Sequence, residues 1–188
     1  MQIIRQTDFP KLGTFKKIER PKEPRYDYSP WAALNIGGVT REDLIKRLRR
    51  QYTIASWGEP NRLERLEFDT LPEQKEILLG VFTTEDLELP DNCKLADVHN
   101  EAYLAEWSKR HLKEFGLTAK LCPSEVGPHL RLQYAQPPNE CLVLAMSLLK
   151  GYMWSVETFG KNLPPRFDIS PIEADHSWNR YNFVFMLE

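Results

Sequence analysis

Four histidines and three cysteines are the side chains in this sequence with the greatest capacity for catalysis or metal binding. They are His99, His111, His129 and His176, together with Cys93, Cys122 and Cys141. Asp97 precedes His99 by two residues and Asp175 directly precedes His176, so a carboxylate is available to orient each of these imidazoles. A metal site or an acid–base site needs a third convergent group, and the spacing provides none. We therefore predict no catalytic residue, no metal site and no cofactor.

A weaker candidate is an anion site at Gly37 and Gly38, which are followed by a helix start at Thr40. Free backbone amides and the helix dipole both favour a phosphate at such a position. The loop has no lysine where a Walker-type loop needs one, and a Gly-Gly pair is also typical of an ordinary turn. Both interpretations remain open at this point.

The helix that Thr40 opens is predicted to run to about Tyr52 and to be amphipathic. Its apolar side chains fall on one face, and Asp43 stands where a capping box places an acidic residue. The opposite face is predicted to carry Lys46, Arg47, Arg49 and Arg50, with Arg41 in the first turn. Such a basic face suits an acidic protein partner, or the phosphate backbone of a nucleic acid as an alternative.

The charge of the chain is unevenly distributed. Residues 1–50 contain 12 Lys or Arg and 6 Asp or Glu, a net charge of +6, and residues 51–188 contain 13 and 21, a net charge of −8. Residues 1–30 contain several prolines and too many apolar groups for a free tail, so we predict an extended basic arm that packs on a surface. Its candidate partner-binding residues are Arg20, Lys22 and Arg25. The alternative is that the arm lies on the acidic body of its own chain.

Three tryptophans lie in segments that are predicted to be irregular, namely Trp31, Trp57 and Trp178. An exposed tryptophan in a loop is a candidate anchor for a partner, because tryptophan is enriched in binding hot spots. The alternative is that each one closes the edge of its own hydrophobic core.

These candidates are positioned by elements that the hydropathy pattern predicts. Glu140–Phe159 is predicted as one long helix, since its apolar residues cover most of the helical circumference, with Asn139 as its cap and Gly160 at its end. A helix is also predicted for about 98–115. Strand pairs are predicted at 62–68 with 76–83 and at 118–122 with 129–134, and the last strand near 180–187 reads as an inner strand.

Hairpins separated by helices indicate an α+β fold. We predict a mainly antiparallel sheet built from hairpins, with about three helices on one face, of which the longest, about 140–159, is central and largely buried. The extended arm is 1–30, and residues 31–188 form a single domain.

The cysteine usage and the N-terminus predict a cytoplasmic protein without a membrane segment. The three cysteines form no CxxC pair, and MQIIRQTDF has no apolar core of signal-peptide length. The leading hypothesis is a non-enzymatic interaction or accessory protein, of the kind that mobile elements or viruses carry. It would bind another macromolecule, preferably a protein, through the basic arm and helix 40–52. The alternatives are a nucleic-acid-binding module using the same surface, and a small hydrolase or metal-dependent enzyme using His99, His129 or His176.

Overall fold

The computed structural model describes residues 12–18, 28–56, 61–137, 139–158, 165–172, 176–178 and 181–188. Within these residues the chain forms one open sheet of nine strands. The strands are β1 (Phe15–Lys17), β2 (Ala32–Ile36), β3 (Thr53–Ser56), β4 (Lys75–Thr83), β5 (Ala119–Lys120), β6 (Cys141–Leu144), β7 (Tyr152–Glu157), β8 (Arg166–Pro171) and β9 (Asn182–Leu187).

The sheet is mainly antiparallel, as the sequence predicted. Its order is β1-β2-β4-β9-β6-β7-β8-β3, and β5 pairs with β9 outside this path. Among the described strands, only β6 with β9 and β3 with β8 are parallel pairs. The last strand of the chain, β9, lies between β4 and β6 and joins the two halves of the sheet. The prediction of an inner C-terminal strand is therefore confirmed.

Five α-helices lie in the described part of the chain, where about three were predicted. They are α1 (Arg41–Gln51), α2 (Arg62–Arg65), α3 (Leu95–Val98), α4 (Glu101–His111) and α5 (Val126–Gln133), and a short 3-10 helix follows α4 at Lys113–Phe115. The predicted helices at 40–52 and near 98–115 correspond to α1 and α4. The predicted central helix does not exist, and the strongest predicted strand, 76–83, is β4.

Helices cover both faces of the sheet, and the expectation that they pack on one face is wrong. We call the cluster beneath α1, α2 and α5 the first core, to which Leu44, Leu63 and Leu130 contribute. The cluster beneath α3 and α4 is the second core, which contains Leu95 and Trp107. Side chains of each central strand point alternately to the two cores. In β9, for example, Phe183 and Phe185 belong to the second core, whereas Val184 and Met186 belong to the first.

The stretch predicted as a central helix is instead the hairpin of β6 and β7. The turn is Lys150–Gly151, and both residues have positive φ, of 52° and 85°. Leu149 and Tyr152 exchange both backbone hydrogen bonds across it, at 3.0 and 3.1 Å. This is the geometry of a two-residue hairpin turn, which favours glycine at its second position. Because both faces of β6 and β7 are covered, their apolar residues form a nearly continuous run, which is hard to distinguish from a buried helix.

Both predicted hairpins elsewhere in the chain are also wrong. Residues 62–65 form α2 rather than a strand, and β4 pairs with β2 and β9. Residues 126–133 form α5, whose proline, Pro128, lies in the first turn, where its missing N–H costs little. Gly127 permits α5 to lie directly on the sheet, because a Cβ there would come within 2.7–3.0 Å of the Trp154 side chain.

Part of the predicted arm lies on the sheet. Residues 15–17 form β1, which pairs with β2, and Tyr28 is buried in the second core.

Among the described residues, every helix is too short or too polar to cross a bilayer.

Candidate partner-binding surface

The surface predicted to bind a partner is centred on α1. The Thr40 hydroxyl accepts a hydrogen bond from the backbone N–H of Asp43 at 3.3 Å, which caps the helix as the sequence predicted. Leu44, Ile45 and Leu48 are buried in the first core. The backbone that carries the side chains of the opposite face is thereby anchored to the core.

Arg41 is occupied by the fold itself. Its guanidinium donates to the carbonyl of Leu66, at 3.0 and 2.8 Å, and to the carbonyl of Glu64 at 2.6 Å. The same group lies over the Phe68 ring, 5.6 Å from its centroid. Arg41 therefore attaches the chain after α2 to the first turn of α1.

Lys46, Arg49 and Arg50 carry the exposed positive charge of α1. Arg49 forms an ion pair with Glu64 and donates to the side-chain oxygen of Asn61 at 3.0 Å. Lys46 lies 4.0 Å from Asp43, and Arg50 is exposed in the last turn. Eight residues separate Arg41 from Arg49, a rise of about 12 Å. Residues 61–68 are therefore attached to α1 near both of its ends.

Arg47 does not lie on the outer face, contrary to the prediction. It is three residues after Leu44 and only 7 % exposed, so its side chain belongs to the edge of the buried face. Burial lowers the pKa of its guanidinium, and the neighbouring charge of Asp43 opposes that effect. The sequence pattern placed Arg47 on the outer face with Lys46, Arg49 and Arg50, but its position three residues after Leu44 borders the buried face, and packing determines on which side such a residue lies.

The amides of the candidate anion site are already engaged. The N–H of Gly37 donates to Nε2 of His129 at 3.3 Å, and the N–H of Gly38 donates to the carbonyl of Leu71 at 2.9 Å. Glu42 and Asp43 place negative charge in the first turn of α1. Gly37, Gly38 and Thr40 therefore form an ordinary loop and helix cap.

Two of the three candidate tryptophans are buried. Trp31 is 6 % exposed and contacts the Phe15 and Tyr134 rings in the first core. Trp178 is 7 % exposed and lies in the second core beside Phe183. Both side chains close the edges of their own cores, which was the alternative that the sequence left open. Trp57, Arg20, Lys22 and Arg25 lie outside the described residues.

The candidate histidines are used in different parts of the fold. His129, on α5, is 1 % exposed and lies 3.5 Å from a carboxylate oxygen of Glu125, whose other oxygen accepts the N–H of Leu71. His99 ends α3 beside the second core, on the opposite face of the sheet, and burial lowers its pKa to about 4. His111 contacts Glu88 at 3.1 Å. Within the described ranges, no three His, Cys, Asp or Glu side chains are arranged to hold a metal ion.

The cysteines are held as thiols inside the fold. The Cys122 thiol donates to the carbonyl of Val184 at 3.3 Å, and burial raises its pKa. Burial and the neighbouring Glu157 carboxylate raise the pKa of Cys141 to about 12. Burial likewise raises the pKa of Cys93. A high pKa disfavours the nucleophilic thiolate.

A carboxylate pair on β7 and β8 was not predicted from the sequence. Asp168 is 6 % exposed and accepts from the Ser170 hydroxyl at 2.7 Å, and Glu157 accepts from the Ser155 hydroxyl at 3.1 Å. Ser155 and Asp168 are register partners, so both acids lie on the same face of the sheet. Burial raises the pKa of Glu157, and the charge of Asp168 raises it further. The alternation of side chains along β7 and β8 places the two acids on the same face of the sheet, but this can be deduced only when the pairing of the strands is known.

A cleft of about 450 Å³ was also missed from the sequence. Three segments line it, residues 67–69, 122–124 and 147–149. Leu148, at its edge, is 44 % exposed, and Glu67 and Asp69 bring two carboxylates to one of these segments. Residues 147–149 lie in the connection between β6 and β7, so the prediction of a single helix over 140–159 could not reveal this cleft.

The fold and surface together define a mixed α/β domain with a mainly antiparallel open sheet. No family model matches the chain, and comparisons with curated proteins and with solved structures also find no match.

Proposed function

We propose that this protein is a non-enzymatic interaction protein of the cytoplasm, which binds another protein through the outer face of α1. The observation that carries the proposal is the presentation of Lys46, Arg49 and Arg50 on the last turns of a helix anchored in the first core. Arg49 is held by Glu64 and Asn61, so less side-chain freedom is lost when a partner carboxylate binds it.

The structure narrows the residues on which the proposal depends. Arg47 and Arg41 serve the fold, and Trp31 and Trp178 serve the cores, so none of these four is expected to contact a partner directly. The arm residues Arg20, Lys22 and Arg25 remain in the proposal as additional contacts, and so does Trp57.

Mixed charge on α1 favours a protein over a nucleic acid as the partner. The exposed side of the helix carries Glu42 and Asp43 in its first turn as well as the cations of its last turns. A polyanion would be repelled by the first turn, whereas a protein can present complementary charges of both signs. The groups that an enzyme might use are also engaged in the fold, as His129, Cys122 and Cys141 illustrate.

The test is affinity capture from host extract with and without nuclease, followed by titration of the purified partner. The double variant Lys46→Glu, Arg50→Glu should weaken partner binding at least about tenfold, since each lost charge contact typically contributes on the order of 1 kcal/mol. Its Tm should stay within about 3 °C of the wild-type value, because both side chains are exposed.

Two controls make the result decisive. Glu42→Lys changes a charge on the same helix and should retain binding if the last turns are the contact. A 20-base-pair duplex should bind weakly at low salt. Unchanged partner binding by the double variant contradicts the proposal, and tight duplex binding that falls steeply with salt supports the nucleic-acid alternative.

A further inference from the structure

The cleft lined by residues 67–69, 122–124 and 147–149 combines apolar side chains with two carboxylates. Phe68, Pro123, Leu148 and Leu149 provide apolar surface, and Ser124 and Ser147 add hydroxyl groups. Glu67 and Asp69 are the only charged residues among the described lining residues. A volume of about 450 Å³ lies within the range of roughly 300–1,000 Å³ that is common for ligand sites.

The cleft already attracts one cation of its own chain. The ammonium group of Lys150, in the β6–β7 turn, lies 3.7 Å from Glu67 and so connects this turn to residues 67–69. The Lys150 and Glu67 side chains are 66 % and 85 % exposed, so this pair contributes little and another cation can replace Lys150 at little cost. Asp69, in the same segment as Glu67, has no comparable ion pair among the described residues.

We propose that this cleft binds a short basic segment of a partner polypeptide, in which a Lys or Arg stands beside an apolar residue. The aliphatic part of such a side chain packs on Phe68 and Leu149 while its charged end reaches Glu67 and Asp69, as long basic side chains do at apolar surfaces with a polar edge. The neighbouring apolar residue covers Leu148, which is 44 % exposed at the edge of the cleft.

The cleft is connected to α1 through the chain, but no residue of α1 lines it. Arg41 attaches residues 64–66 to α1, and the same segment continues into the lining residues 67–69. The proposal itself stands on the cleft alone, and it can be tested without the protein partner.

The experiment is a titration of ¹⁵N-labelled protein at low salt with acetyl-Leu-Arg-Leu-amide. The matched control is acetyl-Leu-Glu-Leu-amide, which has the same length and opposite charge. We expect saturable amide shifts confined to residues 67–69, 122–124 and 147–149, with a Kd on the order of 1 mM, and no saturable shifts with the acidic peptide.

Three variants separate the contributions of charge and apolar contact. Glu67→Gln combined with Asp69→Asn should weaken the arginine peptide at least fivefold, and Leu148→Ser should weaken it by a smaller factor. Lys150→Met should strengthen it, because the competing cation is removed. Lys46→Glu with Arg50→Glu should leave the titration unchanged, so failure of the α1 interface and failure of the cleft are distinguishable.

Several outcomes would overturn the inference. One is an absence of saturable shifts with the arginine peptide, and another is equal binding of the acidic peptide. Equal affinity for spermidine would show that the cleft binds small cations instead of a polypeptide. Shifts of the same residues that depend on protein concentration alone would assign the cleft to a second copy of this chain.

Discussion

The two faces of β7 and β8 hold charge in opposite ways. On the first-core side, the Arg62 guanidinium lies 4.4 Å from the centroid of the Tyr152 ring and donates to the carbonyl of Ile169 at 3.3 Å. On the other side, Glu157 lies near Asp168, and their like charges oppose each other. Arg62 thus has an oxygen acceptor and an aromatic ring, whereas the two acids accept from serine hydroxyls but also repel each other.

The same difference extends beyond these two strands. Arg131, on α5, is 2 % exposed, donates to Gln136 at 2.7 Å and to the carbonyl of Tyr134 at 3.2 Å, and lies 4.5 Å from the centroid of the Tyr52 ring. Burial lowers the pKa of the Arg131 guanidinium, but removing this side chain would leave its two buried acceptors unpaired and empty the space over the Tyr52 ring. The comparison predicts that removal of the Arg131 charge lowers the stability of the fold, whereas removal of the Glu157 charge raises it.

Removal of the Arg131 side chain should give the largest effect. We expect Arg131→Ala to lower the free energy of unfolding by about 2–4 kcal/mol, since two acceptors and the packing on Tyr52 are lost together. Urea denaturation measures the change, and Arg50→Ala, an exposed position, should alter it by less than about 0.5 kcal/mol. A loss of under 1 kcal/mol for Arg131→Ala would mean that the cations on this side are incidental to stability.

The hairpin turn should have the next largest effect, because it determines which residues of β6 and β7 face each core. Gly151→Ala places a Cβ at φ 85° with no atom within 4 Å, so the cost is that of the backbone conformation, about 1–2 kcal/mol. Lys150→Asn should instead raise stability by a few tenths of a kcal/mol, as Asn-Gly suits this turn. Equal Tm values for the two variants would show that the turn does not determine the register.

Removal of the Glu157 charge should give the smallest effect, with the opposite sign, because burial and the Asp168 carboxylate both disfavour that charge. The folded-state pKa of Glu157 is raised, so the folded protein binds this proton more readily than the unfolded chain does. Glu157→Gln should therefore raise Tm at pH 7, by roughly 1–3 °C. The advantage should shrink as pH falls through the folded pKa, and it should vanish below the unfolded pKa of about 4.3.

Thermal unfolding across pH 3–8 measures this dependence, with the exposed Glu85→Gln as the control that should show none. A lower Tm for Glu157→Gln at neutral pH would reverse the comparison, because it would show that the carboxylate stabilises its surroundings.

The elements that are specified by neighbouring residues, such as a helix cap or a short run of strand-forming residues, were predictable from the sequence. Thr40 caps α1 where the pattern placed the helix start, and β4 and β9 are short apolar runs with strand-forming residues. The hairpin of β6 and β7 was not predictable, because burial on both faces removes the alternation that identifies a strand. Its one local signal was Gly151, which a helix tolerates poorly and a two-residue turn requires.

The candidate site was predicted in outline only. The sequence located the cations of α1 but could not separate Arg47, at the boundary of the buried face, from Lys46 and Arg50. The cleft depends on residues 67–69, 122–124 and 147–149, which are far apart in the sequence. A long-range arrangement of this kind follows from the order of the strands in the sheet. That order cannot be read from the local patterns of a single sequence.

The position of β9 has a consequence for the order of events during synthesis on the ribosome. Strands β1, β2 and β4 can pair with one another early, and β6, β7 and β8 can pair later, but each group keeps an open edge until residues 182–187 emerge. An exposed edge strand has unpaired backbone N–H and C=O groups, which can pair with another chain. The nascent chain is therefore prone to aggregate until β9 is in place. Insertion of the final strand between β4 and β6 closes both edges in one step.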